Sequence, residues 1–197
     1  LVHPSRVKRN ADARLGDRLV LGKPLGVGVL SAALKKQALD DAGYAQMIAN
    51  TTKLNRPGPQ LAAVPGVHAL TDVTGFGLAG HALELARGAG CAVRLNMARV
   101  PLLQGVREWA GRGMVTGASG RNWTAYGSEV SLSASLTEVD RALLTDPQTS
   151  GGLLVSCAPE AVAGVLEVFA AHGFDRATDI GEVVDAPPDG ATRLWVD

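Results

Sequence analysis

Short apolar runs alternate along this chain with longer stretches of helical pattern. The runs 17–22, 67–73 and 151–157 end at glycine turns or polar residues, which is typical of strands. The stretches 27–55 and 77–90 contain no proline and repeat apolar side chains at helical spacing. Two further strand patterns follow one another at the C-terminus. The alternation predicts an α+β (α/β layered) fold, in which helices cover a mixed sheet.

Three stretches in between have less regular patterns. Residues 101–115 have helical spacing, whereas the residues around the two prolines of 56–60 are predicted to form a loop. The segment 116–136, TGASGRNWTAYGSEVSLSASL, is also predicted to be a loop, because small polar residues dominate it. A long irregular stretch inside a compact domain either serves a function or hides an element that the pattern does not reveal.

The charge balance bears on which partners the chain can have. Lys plus Arg and Asp plus Glu are 19 each, and no block of one sign occurs, so we expect neither a nucleic-acid nor a membrane partner. No apolar run approaches the roughly 20 residues that cross a bilayer. Cys91 and Cys157 have no zinc-site spacing and no basic neighbour that would make either a nucleophile. We therefore expect a soluble, cytoplasmic protein.

The segment TDVTGFGLAGH, residues 71–81, places the carboxylate of Asp72 at the end of a predicted buried strand and before a glycine turn. Gly75 and Gly77 would let the backbone approach a phosphate, and the start of the next helix would favour an anion. A carboxylate beside such an anion suits Mg²⁺, which binds through protein carboxylates, phosphate oxygens and water. The alternative is that Asp72 caps the helix or stabilises the turn.

Other polar residues are weaker candidates for a site. His81 could carry a proton or bind a ligand, but a histidine on a helix surface is more ordinary. Arg121 and Asn122 could reach a phosphate from a loop, and Lys23 invites the same reading, although solvated or structural roles are more common. The loop 145–152, TDPQTSGG, carries turn residues that favour a structural role, with phosphate contact as the alternative.

Five segments in the same order resemble the selenophosphate synthetase (selenide, water dikinase) family. The segments are 2–21, 21–30 (LGKPLGVGVL), 71–81, 120–127 (GRNWTAYG) and 143–156 (LLTDPQTSGGLLVS). The wider superfamily includes aminoimidazole ribonucleotide synthetase, thiamine-monophosphate kinase and a hydrogenase-maturation factor. The Val-Thr-Gly-Phe-Gly form of the turn favours the selenide enzyme among these.

The resemblance implies the C-terminal domain of the aminoimidazole ribonucleotide synthetase-like fold, over residues 16–197. Residues 1–15 would connect it to an N-terminal ATP-binding domain, which is the expected partner. Family members use ATP, selenide and Mg²⁺ to make selenophosphate, AMP and phosphate, and the full-length enzyme is expected to be a homodimer. Their nucleophile, Cys or selenocysteine, lies in the N-terminal half, so no catalytic residue is expected in this chain and the chain alone should be inactive.

Carried over by residue, only Asp72 matches a metal-binding position of the family. Two alternatives remain open at this point. The chain could be a non-catalytic module that serves in assembly or packing, or it could belong to another ATP-dependent member of the same superfamily.

Overall fold

A computed structural model of the chain describes residues 7–188 and 191–197. Within them, seven strands form one sheet: β1 (Arg18–Leu21), β2 (Val67–Asp72), β3 (Ala92–Leu95), β4 (Val130–Leu132), β5 (Leu153–Cys157), β6 (Thr178–Val184) and β7 (Leu194–Val196). The α-helices are α1 (Val27–Lys35), α2 (Asp41–Thr52), α3 (Gly58–Leu61), α4 (Gly77–Ala89), α5 (Val106–Gly111), α6 (Gly117–Tyr126), α7 (Glu138–Leu144) and α8 (Val162–Ala171). The predicted α+β fold is confirmed.

The sheet is mixed, with the strand order β2-β5-β1-β6-β3-β7-β4. In this order, the neighbouring pairs β2-β5, β5-β1, β1-β6 and β6-β3 are antiparallel. Strand β7 runs parallel to both β3 and β4. Strand β2 therefore lies at an edge of the sheet, and the expectation that it is a buried strand was wrong. Its side chains alternate, so that Val67 and Ala69 are buried while Asp72 is exposed.

Helices cover both faces of the sheet unequally. The side chains of β1 contribute to both faces. Leu19 and Leu21 belong to the larger core with residues of α1 and α4, while Val20 points to the other face. On that second face Val20 packs in a smaller cluster that includes Phe169 of α8 and Leu61 of α3. Because successive side chains of a strand point to opposite faces of the sheet, one run of apolar residues contributes to both cores.

Helix α4 follows its sequence pattern. The residues predicted to share one face, namely Leu78, Ala82, Leu85 and Ala86, are all buried. The helix ends at Gly90, whose φ of 69° is the left-handed conformation that commonly terminates helices.

The segment predicted as a loop, 116–136, instead contains α6 and β4, and α7 follows it. The N-cap of α6 is Thr116, whose side chain accepts a hydrogen bond from the amide of Ser119. Its buried face carries Asn122, which is polar, so apolar periodicity could not reveal it. A short helix, α3, likewise replaces the loop predicted at 56–60.

The described part of the predicted connecting segment packs against the domain. The ammonium group of Lys8 donates to the carbonyl of Val67 at 2.8 Å. Ala11 lies so close to α4 that a Cβ added at Gly88 would be 2.9 Å from the Cβ of Ala11. Residues 1–6 of that segment fall outside the described residues. Among the described helices, none has the length and apolarity that crossing a membrane requires.

Candidate functional site

The segments of the sequence that carry unusual glycine and polar patterns meet at one end of the sheet. In the register of β5 with its neighbours, Leu153 lies opposite Asp72 of β2, and Leu154 lies opposite Leu21 of β1. The loop 145–152 therefore emerges between the ends of β1 and β2. Three separate parts of the chain come together there because antiparallel pairing brings the start of one strand to the ends of two others.

Other segments hold the backbone of the glycine turn 73–77 in place. Three successive carbonyls of the turn accept hydrogen bonds: Thr74 from the amide of Gln148 at 3.0 Å, Gly75 from Asn122 Nδ2 at 2.9 Å, and Phe76 from the hydroxyl of Tyr126 at 2.6 Å. Asn122 Nδ2 also donates to the carbonyl of Thr145 at 3.0 Å. Helix α6 thus fixes the turn and the loop 145–152 relative to each other.

Two glycines allow this close contact. Gly77 has a φ of 71°, and a Cβ placed there would lie 2.7 Å from the carbonyl oxygen of Leu144. A Cβ at Gly151 would lie 1.8 Å from the carbonyl oxygen of Val73. Gly75 differs, since apart from its neighbours in the chain no atom of the described residues lies within 4 Å of a Cβ placed there. The open side of the turn is therefore at Gly75, where the backbone could be approached by a ligand.

Asp72 lies directly before this turn with an exposed side chain. Its carboxylate makes no hydrogen bond or ion pair with any of the residues described by the structure. Helix α4 is preceded by Phe76 and has no side-chain cap, so the alternative that Asp72 caps the helix is wrong. The carboxylate is available to a ligand.

A metal at this position would need further oxygen donors. Within residues 7–188 and 191–197, no group of three or more His, Cys, Asp or Glu side chains is arranged to hold a metal ion. Asp72 is a hard oxygen donor and fits Mg²⁺ as one of several ligands, because Mg²⁺ usually takes one or two carboxylates with phosphate and water. It could not hold the ion alone.

The loop 145–152 caps helix α1. The carboxylate of Asp146 accepts from the amide of Gly28 at 3.0 Å, and Gln148 Oε1 accepts from the amides of Gly26 and Val27 at 3.2 and 3.3 Å. Gln148 also donates to Asp146 Oδ2 at 2.8 Å. Burial raises the pKa of Asp146 to about 7, against smaller opposing effects of these hydrogen bonds. The contacts support the structural role expected for this loop.

Lys23 is buried beside the same loop. Its ammonium group donates to the carbonyls of Asn50, Lys53 and Ser150 at 3.1, 2.6 and 2.6 Å. Burial, and secondarily the charge of Lys53, lower its pKa to about 8. With three carbonyls taking its three hydrogens, Lys23 joins the end of α2 to the loop and has no donor left for a phosphate.

Two candidates from the sequence remain, His81 and Arg121. His81 is buried on α4, with Nε2 3.2 Å from Thr74 Oγ1 and Nδ1 2.9 Å from Glu84 Oε2, though the latter contact lacks hydrogen-bond alignment. Arg121 is exposed on α6, with its guanidinium close to Gly117 of the same helix. Of these two residues, His81 contacts the glycine turn, through the side chain of Thr74.

The cysteines lie in the core rather than at the site. Cys91 and Cys157 are both buried and unpaired. Burial raises the pKa of both thiols, that of Cys157 to about 12. A raised pKa disfavours the thiolate that a nucleophile requires.

The sequence pattern did not indicate a role for Tyr126, and it placed Asn122 in a predicted loop. The two residues are four apart, which places them on one face of a helix. Thr116 and Ser119 at the start of α6 make the hydrogen bond of a helix N-cap. These two signals together could have revealed the helix and its polar buried face.

Comparison with known proteins shows the family of the chain. Residues 14–192 match the model of the family described as AIR synthase related protein, C-terminal domain. The chain is 71% identical over 187 residues to selenide, water dikinase of Burkholderia ambifaria (strain MC40-6), covering 95% of this chain and 53% of that protein. It is 62% identical over 188 residues to the enzyme of the same name from Pseudomonas straminea, again covering 95% and 53%.

A solved structure shares the fold at lower identity. The hydrogenase maturation protein HypE in complex with ATP superposes with a TM-score of 0.68 at 21% identity, over 99% of this chain and 51% of that one. The chain thus spans about half the length of the relatives it matches. Since the family model covers residues 14–192, the chain belongs to the family of AIR synthase related proteins, as their C-terminal domain.

Proposed function

We propose that this chain is the C-terminal domain of a selenophosphate synthetase, which uses ATP and Mg²⁺ to convert selenide to selenophosphate, AMP and phosphate. The observation that carries the proposal is the exposed carboxylate of Asp72, which has no partner among the described residues, beside a glycine turn held by hydrogen bonds. The names of the relatives, selenide, water dikinase, support the reaction. The shared fold with a protein solved in complex with ATP is consistent with a nucleotide substrate.

The chemistry explains why a carboxylate and a rigid backbone belong together in such a site. Phosphoryl transfer is catalysed by holding the reacting groups in line and by neutralising charge on the phosphate oxygens. Magnesium, when bound, would supply that neutralisation. Asp72 would supply one oxygen ligand, and the turn at Gly75 would present backbone to the phosphates without a side chain between them.

The rest of the machinery would come from an N-terminal half that residues 1–15 connect to this domain. That half would bring the Cys or selenocysteine nucleophile and the other metal-binding carboxylates, and the full-length protein would act as a cytoplasmic homodimer. The 197-residue chain alone would be inactive, because one carboxylate does not fill the coordination sphere of Mg²⁺.

The test uses the full-length protein that contains this domain. Selenide-dependent formation of AMP from ATP is measured against Mg²⁺ concentration for the wild type, for Asp72→Asn and for Glu167→Gln. Glu167 is an exposed acid on α8, outside the glycine turn and the loop 145–152, and serves as the control. We expect Asp72→Asn to lower the rate by about a hundredfold and to raise the Mg²⁺ requirement, with Glu167→Gln unchanged.

Two results would contradict the proposal. If the wild-type protein formed AMP from ATP equally well without selenide, the reaction would be wrong. If Asp72→Asn kept wild-type activity at limiting Mg²⁺, the assignment of Asp72 as a metal ligand would be wrong.

A further inference from the structure

A cavity lies beside Lys23, away from the residues of the glycine turn. It has a volume of about 320 Å³ and opens between the end of α2 and the segment that joins α8 to β6. Residues 22–24 form one wall, Asn50 of α2 and Lys53 directly after α2 form a second, and residues 173–176 form a third. None of the residues 72–77 or 145–152 lines it, so the cavity is separate from the site that contains Asp72.

Positive charge surrounds this cavity. Lys23, Lys53 and Arg176 all line it, and none of them makes an ion pair with a carboxylate among the described residues. One acid, Asp175, also lines it. A neighbouring cavity of about 300 Å³ shares Lys53 and adds Arg56. Because the whole chain has a formal charge of zero, this local excess of cations is a specific feature of the surface.

Asn50 lines the cavity, and its side-chain amide Nδ2 is a buried donor that solvent does not reach. Asn50 is 8% exposed, and its amide Nδ2 has no hydrogen-bond partner among the described residues. Burying an amide without a hydrogen bond is unfavourable, so such groups in folded proteins usually meet a ligand, an ion or water.

The two cationic side chains at the mouth are positioned by the cavity wall. Lys53 donates to the carbonyl of Gly173 and lies 4.4 Å from the centre of the Phe174 ring. Arg176 donates to the carbonyl of Leu102 at 2.7 Å. Each of these groups uses part of its donor capacity on the protein and keeps further N–H groups for a ligand.

We propose that this cavity binds a phosphate group, either as inorganic phosphate or as the monoester of a small molecule, through Lys53 and Arg176, with Asn50 in the cavity wall beside it. An oxyanion accepts several hydrogen bonds at once, and the planar guanidinium of arginine suits phosphate oxygens. The cavity volume is at the lower end of those that hold small ligands, which favours a compact anion.

Burial, and secondarily the charge of Lys53, lower the pKa of Lys23 to about 8. An anion in the cavity would offset both effects because it favours the charged form of each lysine.

The test follows the side-chain amide signals of Asn50 by ¹⁵N NMR while inorganic phosphate is added to the 197-residue chain. Potassium chloride at matched ionic strength is the reference, and glycerol 3-phosphate is titrated in parallel. We expect saturable shifts of the Asn50 signals with phosphate and not with chloride. Tighter binding of the ester would identify a phosphomonoester as the ligand, and tighter binding of phosphate the free ion.

Variants separate a site from general charge attraction. Lys53→Met and Arg176→Met should each weaken phosphate binding about tenfold, since each removes a charged hydrogen bond. Arg112→Met is the matched control, because Arg112 is an exposed arginine that stacks on Trp109 in a different cavity. Asp72→Asn should leave the affinity unchanged, which distinguishes this site from the proposed metal site. Shifts that do not saturate, or an equal loss in Arg112→Met, would overturn the proposal.

Discussion

Asp146 binds the amide of Gly28 through Oδ2 at 3.0 Å, while its Oδ1 is buried without a hydrogen-bond partner among the described residues. A Cβ at Gly28 would lie 2.3 Å from that Oδ1, so the glycine is required for the carboxyl group to fit. The pair joins the loop 145–152 to the start of α1. It also makes the stability of the domain depend on pH.

The first prediction concerns that pH dependence. Burial raises the pKa of Asp146 from 3.8 to about 7, so between these values the folded state binds more protons than the unfolded state. The free energy of unfolding should therefore fall as pH rises from about 4 to about 7, with a steepest slope near 1.4 kcal/mol per pH unit from this group. Asp146→Asn should remove this contribution, as measured by urea unfolding across the pH range. An unchanged slope would show that Asp146 ionises normally, and Glu167→Gln is the control.

The second prediction concerns Lys23. Replacing it with methionine leaves the carbonyls of Asn50, Lys53 and Ser150 without their donor inside the protein. Lys23→Met should lower the free energy of unfolding by about 3 kcal/mol, as measured by urea denaturation. Lys36→Met, at an exposed position, should change it by less than about 0.5 kcal/mol. Equal effects of the two substitutions would show that the buried hydrogen bonds of Lys23 do not contribute.

The third prediction compares two glycines of the same turn. Gly77→Ala should destabilise the domain by about 3 kcal/mol, because φ is 71° and the added methyl group would meet the carbonyl of Leu144. Gly75→Ala should change the stability by less than about 1 kcal/mol, since the space there is open. Thermal unfolding measures both. A similar loss of stability in the two variants would contradict the geometry of the turn.

Gly75→Ala also provides a test of function in the full-length protein. If phosphates approach the backbone at this turn, the added methyl group should lower selenide-dependent AMP formation while stability stays near that of the wild type. The rate and the melting temperature are measured on the same preparation. Wild-type activity would show that nothing approaches the turn at Gly75.

The last prediction concerns the hydrogen bonds from α6. Tyr126→Phe removes the bond to the carbonyl of Phe76 and should cost about 1 kcal/mol, and Asn122→Ala, which leaves two carbonyls unsatisfied, should cost about 2 kcal/mol. Both should speed hydrogen exchange of the amides in 75–78 more than elsewhere in the domain. Thr124→Ala, at an exposed position on the same helix, should leave that exchange unchanged. Uniform acceleration across the domain would mean that α6 stabilises the fold without holding the turn.

Local patterns in the sequence were enough to predict most of the strands and helices. Helix α4 illustrates this, because its apolar spacing and its closing Gly90 are both properties of consecutive residues. The same holds for β1 and β5, whose apolar runs are bounded by turns. Helix α6 was missed because Asn122 on its buried face is satisfied by carbonyls of distant segments.

The sequence by itself determined the class of the fold, the family resemblance and the choice of Asp72, since each depends on residues that are close together in the chain. Only the tertiary structure decided that β2 is an edge strand, that Asp72 does not cap α4, and that separate segments hold one turn in place. Those outcomes depend on strand pairing and on hydrogen bonds between residues far apart in the chain, which no local pattern encodes.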